Sequence, residues 1–549
     1  MTTRSRHPTP ALPVMESFVS VAGLTRRFLR SGHVSSGARV RTLPRRARGV
    51  LTIAFLGAAS SLAAQTTYEF GIREHVFDNG LRLLVVERPD DPRVAAKIFT
   101  DFGSLIEQPG QLGAAHFLEH LLFKGTRSLG TTDWQREQPL RDSIARMDRA
   151  LSEARNAARN ELRERGVFHD YRHAQSTPLI DSIQAEIARL ELTASAYRDP
   201  GAMMRWYQAY GGTGLTATTE QEYMKFDINL PRERVELFLR VESDRMRNTV
   251  FREFDAERMI LVEQRLGDLN RVSTPFYEAM NAQVGMVHPV FFPEGYRSDF
   301  YQYNRAYQRN LYERWFIPNN TTLVFVGGVR LEDMVPLVDR WFGDMYRAPE
   351  PTRTFAIEPV PHGEKRLIWS SPDLSPRVDM RHLIPGVGHP DRPHVDVLAE
   401  VLRLEVGDAL RDAGVNGSVD VNTRVVHTER FGVPATLNIE VVTGSEATLD
   451  AAEQAVLIAI TRVQQRGTAA GRLARVKKRL RTEWYRTQQD ADAFAFEIGH
   501  FQTMDSWQTL AEHLNARERT TSDDLMRIAS RYLIADNRTV GAVRREVER

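Results

Sequence analysis

The sequence predicts an α+β fold made of two homologous α/β units, each an antiparallel-rich sheet with helices packed on it, with a helical hairpin inserted in the first. Three observations carry this. Strand-like alternation gives way to amphipathic, helix-spaced patterning in both halves. The order also repeats: Pro92-Arg93-Val94 opens a strand and His116, 22 residues after Val94, lies in an apolar helix, while Pro376-Arg377-Val378 opens a similar strand and Glu400, 22 residues after Val378, lies in the apolar helix Val395 to Leu404. Between the copies runs a Pro-rich stretch, Pro349 to Pro361, of the kind that separates domains.

The chain has 549 residues, 73 Lys+Arg against 71 Asp+Glu, 42% hydrophobic residues and no cysteine. Residues 1–50 hold ten arginines and one acid, so the remainder carries 63 basic and 70 acidic side chains. That mildly acidic body has no excess positive charge with which to displace counterions from a phosphate backbone, and nucleic acid is not expected as a partner. Absence of cysteine excludes thiolate-ligated zinc, iron–sulfur clusters and a thiol nucleophile, so any metal must rest on His, Asp or Glu.

After Arg45, Arg46 and Arg48 comes the apolar run Val50 to Ala64, too short to cross a bilayer comfortably and ending in small residues. Residues 1–63 are therefore expected to be a signal or targeting segment, with Ser61-Leu62-Ala63 as the cleavage site and Met15 as an alternative start; an uncleaved anchor is the competing reading. Export, to a periplasm in particular, follows, with no membrane association once the signal is removed. The first unit is placed at 64–348. Asp78-Asn79-Gly80 between apolar runs signals a hairpin, Val94 to Phe102 a further strand, and Ala114 to Lys124 a largely buried helix ended by Gly125. Residues 131–198 carry apolar positions three and four apart (Leu140, Ile144, Met147, Leu151; Ile183, Ile187, Leu190), which predicts two amphipathic helices, the inserted hairpin. Gly214 to Thr219 and Tyr223 to Leu230 read as strands, Pro231 opens a helix, residues 251–268 continue as a helix bearing Glu253, Glu257 and Glu263, and Asn320 to Val329 is a buried strand followed by a helix to Phe342. The linker is placed at 349–362 and the second unit at 363–549. Arg472, Arg475, Lys477, Lys478 and Arg479 fall at helical spacing and read as a solvated face.

The chemistry is concentrated in His116-Phe117-Leu118-Glu119-His120. Two histidines four apart project from one face of a helix about a turn apart, the spacing with which two imidazoles hold one zinc ion. Glu119, beside them, is placed to take a proton from water that the metal has made acidic and to pass it to a leaving amine, which is metal-assisted amide hydrolysis. Manganese or cobalt is an alternative occupant of such a site. The second copy has Glu400-Val401-Leu402-Arg403-Leu404 at the corresponding place and has no such motif.

His-x-x-Glu-His is the inverted zinc motif, and His116 to Thr126 (HFLEHLLFKGT) resembles the insulinase and pitrilysin family, which includes the mitochondrial processing peptidase. The resemblance extends through Gly211 to Thr219 (GGTGLTATT), Glu242 to Arg245 (ESDR), Phe251 to Arg258 (FREFDAER) and Trp315 to Val329. It implies a zinc metallopeptidase with His116 and His120 as ligands and Glu119 as general base. It further implies an unfolded peptide laid along a sheet edge near Gly214, Thr216 and Ala217, and closure by a second, homologous pair of units in a homodimer or heterodimer. His288-Pro289 matches a family position that shapes the first half, and Arg411 with Asn416 to Asp420 lies where the family's second half holds the peptide backbone.

The sequence departs from the family pattern at the third ligand. An ungapped register makes Glu257 the supporting acid and puts Gln264 where the ligand glutamate belongs, with Glu263 one residue short. Three accounts stand open: a local helix distortion brings Glu263 to the metal, Glu257 reaches it, or zinc binds weakly or not at all. Thr216 replaces the family's Asn, and Gly328 replaces an acid at the end of the strand before it. Two functional readings follow, an exported zinc metalloendopeptidase and a non-catalytic subunit that binds peptide or supports an active homologue.

Overall fold

The structure, a computed structural model, describes residues 68–167, 176–285, 287–288, 291–353, 358–424 and 435–545. The expected targeting segment, with its cleavage site and the start at Met15, lies outside the described residues, as do Pro289 and part of the linker.

Six strands form the first sheet: β1 (Ile72–Val76), β2 (Arg82–Glu87), β3 (Arg93–Thr100), β4 (Thr213–Thr219), β5 (Met224–Pro231) and β6 (Thr321–Gly327), in the spatial order β1-β2-β6-β3-β5-β4. Five form the second: β7 (Lys365–Ser370), β8 (Arg377–Ile384), β9 (Gly417–Arg424), β10 (Ala435–Thr443) and β11 (Arg538–Arg544), in the order β7-β11-β8-β10-β9. With β1 set aside the two orders superimpose strand for strand. In each sheet one pair is parallel, β2 with β6 and β7 with β11, and the other pairs are antiparallel. The repeat in the sequence is thus a repeat of topology, and the fold is the expected α+β pair.

Helices α1 (Ala114–Leu122), α2 (Trp134–Glu164), α3 (Pro178–Ala194), α4 (Ala202–Ala209), α5 (Val235–Asn248), α6 (Phe254–Leu269), α7 (Thr274–Val284), α8 (Arg297–Phe300), α9 (Arg305–Trp315) and α10 (Leu331–Phe342) belong to the first half of the chain. The second half contributes α11 (Arg392–Asp412), α12 (Leu449–Arg466), α13 (Ala470–Gln489), α14 (Ala491–Met504), α15 (Gln508–Arg519) and α16 (Ser522–Tyr532). Among the described residues no helix is long and apolar enough to cross a membrane. The inserted residues form the hairpin α2–α3, closed on its own small core of Ile144, Leu151, Ile180, Ile187 and Leu190. Its base is tied to the body by buried ions: Glu137 accepts two bonds from Arg252, at 2.8 and 2.9 Å, and Asp148 and Glu191 pair with Arg305 of α9.

Alternation along the strands of the first sheet sends Leu83, Val85, Ala96, Ile98, Leu323 and Phe325 to one face, packed with Phe117 and Leu121 of α1, Phe238 of α5 and Val338 of α10. The opposite residues, Leu84, Val86, Ala95, Phe99, Val324 and Val326, meet Phe494, Ala495 and Ile498 of α14, a helix of the second half. The exchange is mutual, because α7 of the first half lays Phe276 and Met280 on the second sheet beside Leu374 and Val543. Glycine makes both approaches possible: a Cβ on Gly499 would sit 2.0 Å from the Phe99 ring, and one on Gly541 would sit 2.4 Å from Met280 Sδ. Polar clasps recur at equivalent strand positions. Lys97, three residues after Val94, donates to Asp227 at 3.0 Å and to Asp492 of α14 at 2.8 Å; Arg381, three after Val378, donates to Asn281 of α7 at 2.6 Å.

The basic face of α13 is split. Arg475, Lys478 and Arg479 are exposed, as expected of a solvated face, whereas Arg472 pairs with Glu405 and Asp408 of α11 and Lys477 donates to the Glu518 carbonyl of α15; Arg479 also reaches Glu400. A run of cations at helical spacing does not reveal the acids that a second helix brings to it.

Burial also sets a pH limit. His382 on β8 is fully buried and desolvation holds it down to about 3; His500 on α14 is held down to about 4 for the same reason. Both titrate near 6.5 in an unfolded chain. Below that value the unfolded state binds protons that the folded state refuses, so stability falls as pH drops from about 6.5 toward 4, by about 1.4 kcal/mol per pH unit for each histidine. The urea midpoint is expected to fall steadily between pH 7 and pH 5, and an unchanged midpoint would contradict this account.

Candidate metal centre

Helix α1 is nine residues long and its outer face carries the motif. Ala114, Ala115, Phe117, Leu118, Leu121 and Leu122 are buried, which leaves His116, Glu119 and His120 on the remaining arc. The two imidazoles lie with centroids 4.9 Å apart and planes at 78°. Desolvation pushes the pKa of His116 down to about 3, so its ring is neutral and able to ligate at physiological pH. His120 Nδ1 lies 3.0 Å from Glu257 Oε2 on α6. Burial alone would raise the Glu257 carboxyl, but the hydrogen bonds from His120 and from Lys124, whose ammonium is 2.5 Å away, outweigh it and hold the group below the usual carboxylate range. An ionised Glu257 can only accept, so Nδ1 carries the proton and the Nε2 lone pair of His120 is the one left free for a metal. Replacing Glu257 by Gln is therefore expected to weaken metal binding about 10- to 100-fold without removing a ligand, to be read by competition with a zinc chelator.

Glu119 accepts a 2.6 Å bond from Thr219 Oγ1 at the end of β4, and desolvation raises its pKa above the usual range. Around the motif, residues of the segments Glu242 to Arg245 and Phe251 to Arg258 hold α1 in place. Arg245 Nη1 donates to the Leu122 carbonyl at 2.7 Å, capping the end of α1, while its guanidinium pairs with buried Glu242 and lies 4.0 Å over the Phe226 ring. Arg252 donates to the carbonyls of Lys124, Thr126 and Leu129, fixing the turn after the helix. Glu253, which opens α6, has a left-handed backbone (φ 56°), a conformation disfavoured outside glycine, and is clasped by Arg198.

Helix α6 is continuous across Phe254–Leu269. Seven residues make about two turns, so Glu257 and Gln264 share a face, whereas Glu263 is rotated by about 100° from Gln264. Glu263 is exposed; the side-chain oxygen of Gln264 is buried and has no hydrogen-bond partner among the described residues. The distortion that would bring Glu263 inward is absent from this helix, and Glu257 is engaged by His120 and Lys124. Among the described residues no three His, Asp or Glu side chains come together as a metal-binding group. His116 and His120 offer two imidazoles, and the amide oxygen of Gln264, about two turns from Glu257 on α6, is buried without a partner among the described residues, a state that costs about 1–3 kcal/mol; imidazole and amide oxygen are donors that suit a divalent ion.

Strand β4 is the edge of the first sheet. Gly214 and Thr216 on it are exposed and Ala217 is half-buried; Gly214 has a left-handed backbone (φ 71°), and the pairing with β5 is irregular between Thr213 and Thr216. Gly328 has a packing reason, since a Cβ there would lie 2.1 Å from the Asp91 carbonyl oxygen. His288 is buried, and its backbone N–H donates to Glu358. Arg411 is exposed and pairs with Asp408, and β9, which follows Asn416, is an edge strand as β4 is. Thr219, Glu107 and the capping role of Arg245 were not legible as site features in the sequence. Lys124 could have been found, because it lies four residues after His120, just past the end of α1.

Two family models match the chain: the insulinase family, peptidase family M16, over residues 82–137, and the peptidase M16 inactive domain over residues 304–480. Both models describe parts of the insulinase family of peptidases, and together they support the chain's membership of it. An uncharacterised zinc protease of Rickettsia bellii is 46% identical over 50 residues, 9% of this chain and 12% of that protein, so the chain matches only about an eighth of that relative's length. The fold is shared with a protease of Helicobacter pylori at a TM-score of 0.69 and 15% identity, covering 87% of this chain and all of that one. It is also shared with the periplasmic protease PqqL of Escherichia coli at a TM-score of 0.63 and 14% identity, covering 88% of this chain and 48% of that one.

Proposed function

We propose that this insulinase-family protein is an exported zinc-dependent metalloendopeptidase that hydrolyses peptide bonds of unfolded or short peptides. The observation that carries the reading is the pairing on α1 of two neighbouring imidazoles with a desolvated carboxyl between them, one imidazole being oriented by Glu257 of α6. His116, His120 and Gln264 would hold the ion and Glu257 would orient His120. Zinc, when bound, supplies a Lewis acid that polarises the scissile carbonyl and acidifies water. Glu119 takes the proton of the attacking water and returns it to the leaving amine; a carboxyl raised by burial is suited to both transfers. The open edge of β4, at Gly214, Thr216 and Ala217, would pair with the peptide backbone as an added strand.

The same proposal takes residues 1–63 as the export signal, 64–348 and 363–549 as the two units, and a periplasm as the destination, in keeping with the likeness to PqqL. Because this chain corresponds to 48% of that protease, a second copy or a homologous subunit would complete the enclosure. One observation favours a second reading. The neutral Gln264 in the ligand position suits a subunit that binds peptide without cutting it and supports an active homologue.

Elemental analysis of the purified protein, with digestion of an unfolded peptide mixture, separates the two. About one zinc per chain together with cleavage supports the peptidase; metal-free protein that cuts nothing with zinc added refutes it and favours the subunit.

A further inference from the structure

The helix that carries the motif lacks the usual means of holding its first turn. It is nine residues long, a length that is marginal in isolation. Its N-cap is Gly113, which has no side chain to offer, and its first turn contains no acid. No other residue is easily placed there, because Gly113 has a left-handed backbone (φ 84°) and a Cβ would lie 2.8 Å from the Glu294 carbonyl oxygen and 2.9 Å from the Phe300 ring. His116 is the third residue of this helix, so fraying of the first turn would displace a ligand.

The missing cap comes from six residues upstream. Glu107 is 3% exposed, and its two carboxyl oxygens accept from the backbone N–H groups of Gly113 and Ala115, each at 2.7 Å. Two of the four N–H groups that a helix leaves unpaired are satisfied by one side chain; these two bonds favour the ionised carboxyl, and burial opposes them and pushes it up to about 8. Glu107 is itself anchored. The turn before it, Ser104–Ile106, donates from Ser104 N to the Glu220 carbonyl at 3.1 Å and from Leu105 N to the Gln221 carbonyl at 2.9 Å. Those two residues directly follow Thr219, the donor to Glu119. On the other side Tyr303 donates its hydroxyl to the Leu112 carbonyl. Segment 104–107 therefore ties the start of the motif helix and the end of β4 into one frame.

We infer that Glu107 is a positioning residue for the catalytic centre, fixing the first turn of α1 so that His116 and Glu119 hold a constant relation to Thr219 on β4. The inference rests on the metallopeptidase reading for its consequence but on backbone geometry for its substance. Glu107→Gln is nearly isosteric yet turns one acceptor into an N–H2 donor facing a backbone donor, so one of the two bonds is lost and replaced by a clash of like groups.

Hydrogen exchange of the purified protein and its Glu107→Gln and Glu107→Asp variants, followed in peptides spanning 107–122, is the metal-free measurement; cobalt(II) affinity and absorption spectrum form the second. Glu107→Gln is expected to speed exchange in Gly113–His120 about tenfold while leaving α12 unchanged, to weaken cobalt binding about tenfold, about 1.4 kcal/mol, with a shifted visible spectrum, and to lower kcat with little change in KM. Glu107→Asp, one methylene shorter, is expected to fall between. Exchange in α1 that is unchanged, or cobalt affinity and spectrum that match the parent, overturns the inference, as does acceleration spread evenly over the whole chain. Parent protein that takes up no cobalt while exchange in α1 is still accelerated by the substitution refutes the metal reading and leaves the anchoring of the helix by Glu107 in place.

Discussion

Glu119→Gln is expected to lower kcat for peptide cleavage by about 10²- to 10⁴-fold, the range over which a general base contributes, with bound zinc unchanged. The amide retains an oxygen that can accept from Thr219 and alters no ligand, so the helix and the metal site survive while the proton acceptor is lost. Steady-state kinetics on a quenched fluorescent peptide, with zinc content measured on the same preparation, test this. A variant that still cuts at the parental rate would remove Glu119 from the reaction; a variant that loses zinc as well would assign it a part in holding the ion.

The second large effect is expected at α6. Gln264→Glu should tighten zinc binding about tenfold, because a charge-assisted contact contributes about 1.5–3 kcal/mol and a neutral one about 0.5–1.5 kcal/mol, a difference of about 1 to 1.5 kcal/mol. Glu263→Gln should change affinity little, since that side chain is exposed and faces about 100° away. Chelator competition on both variants gives a direct contrast. The reverse result, a loss at Glu263 and no gain at Gln264, would mean that α6 changes its helical phase when metal binds.

These outcomes bear on how far the amino-acid order alone could be read. The hairpin at Asp78-Asn79-Gly80, the hairpin insertion and the His-x-x-Glu-His spacing were legible because each is a local pattern within one or two turns or strands. The repeat was legible because the residue 22 positions after Val94 and the one 22 positions after Val378 both fall within an apolar helix, and the shared strand order explains why. Choosing between Glu263 and Gln264 needed the phase of α6, which a single register shift or bulge would have altered. Glu107 gave no signal, since a cap supplied from outside the helix through a left-handed glycine has no fixed spacing. The acids facing Arg472 and Arg479 were hidden for a related reason: they come from a helix some 70 residues earlier.

The mutual loan of α7 and α14 has a mechanical consequence. Each half of the chain is missing a wall that the other half provides, so neither can swing away from the other without baring the apolar face of a sheet, and a cut within 349–362 should leave two fragments that travel together through a sizing column. The chain therefore behaves as a single rigid shell. In the peptidase reading, a gate beside the β4 edge would then lie between molecules, and the fraction of protein found closed would depend on protein concentration.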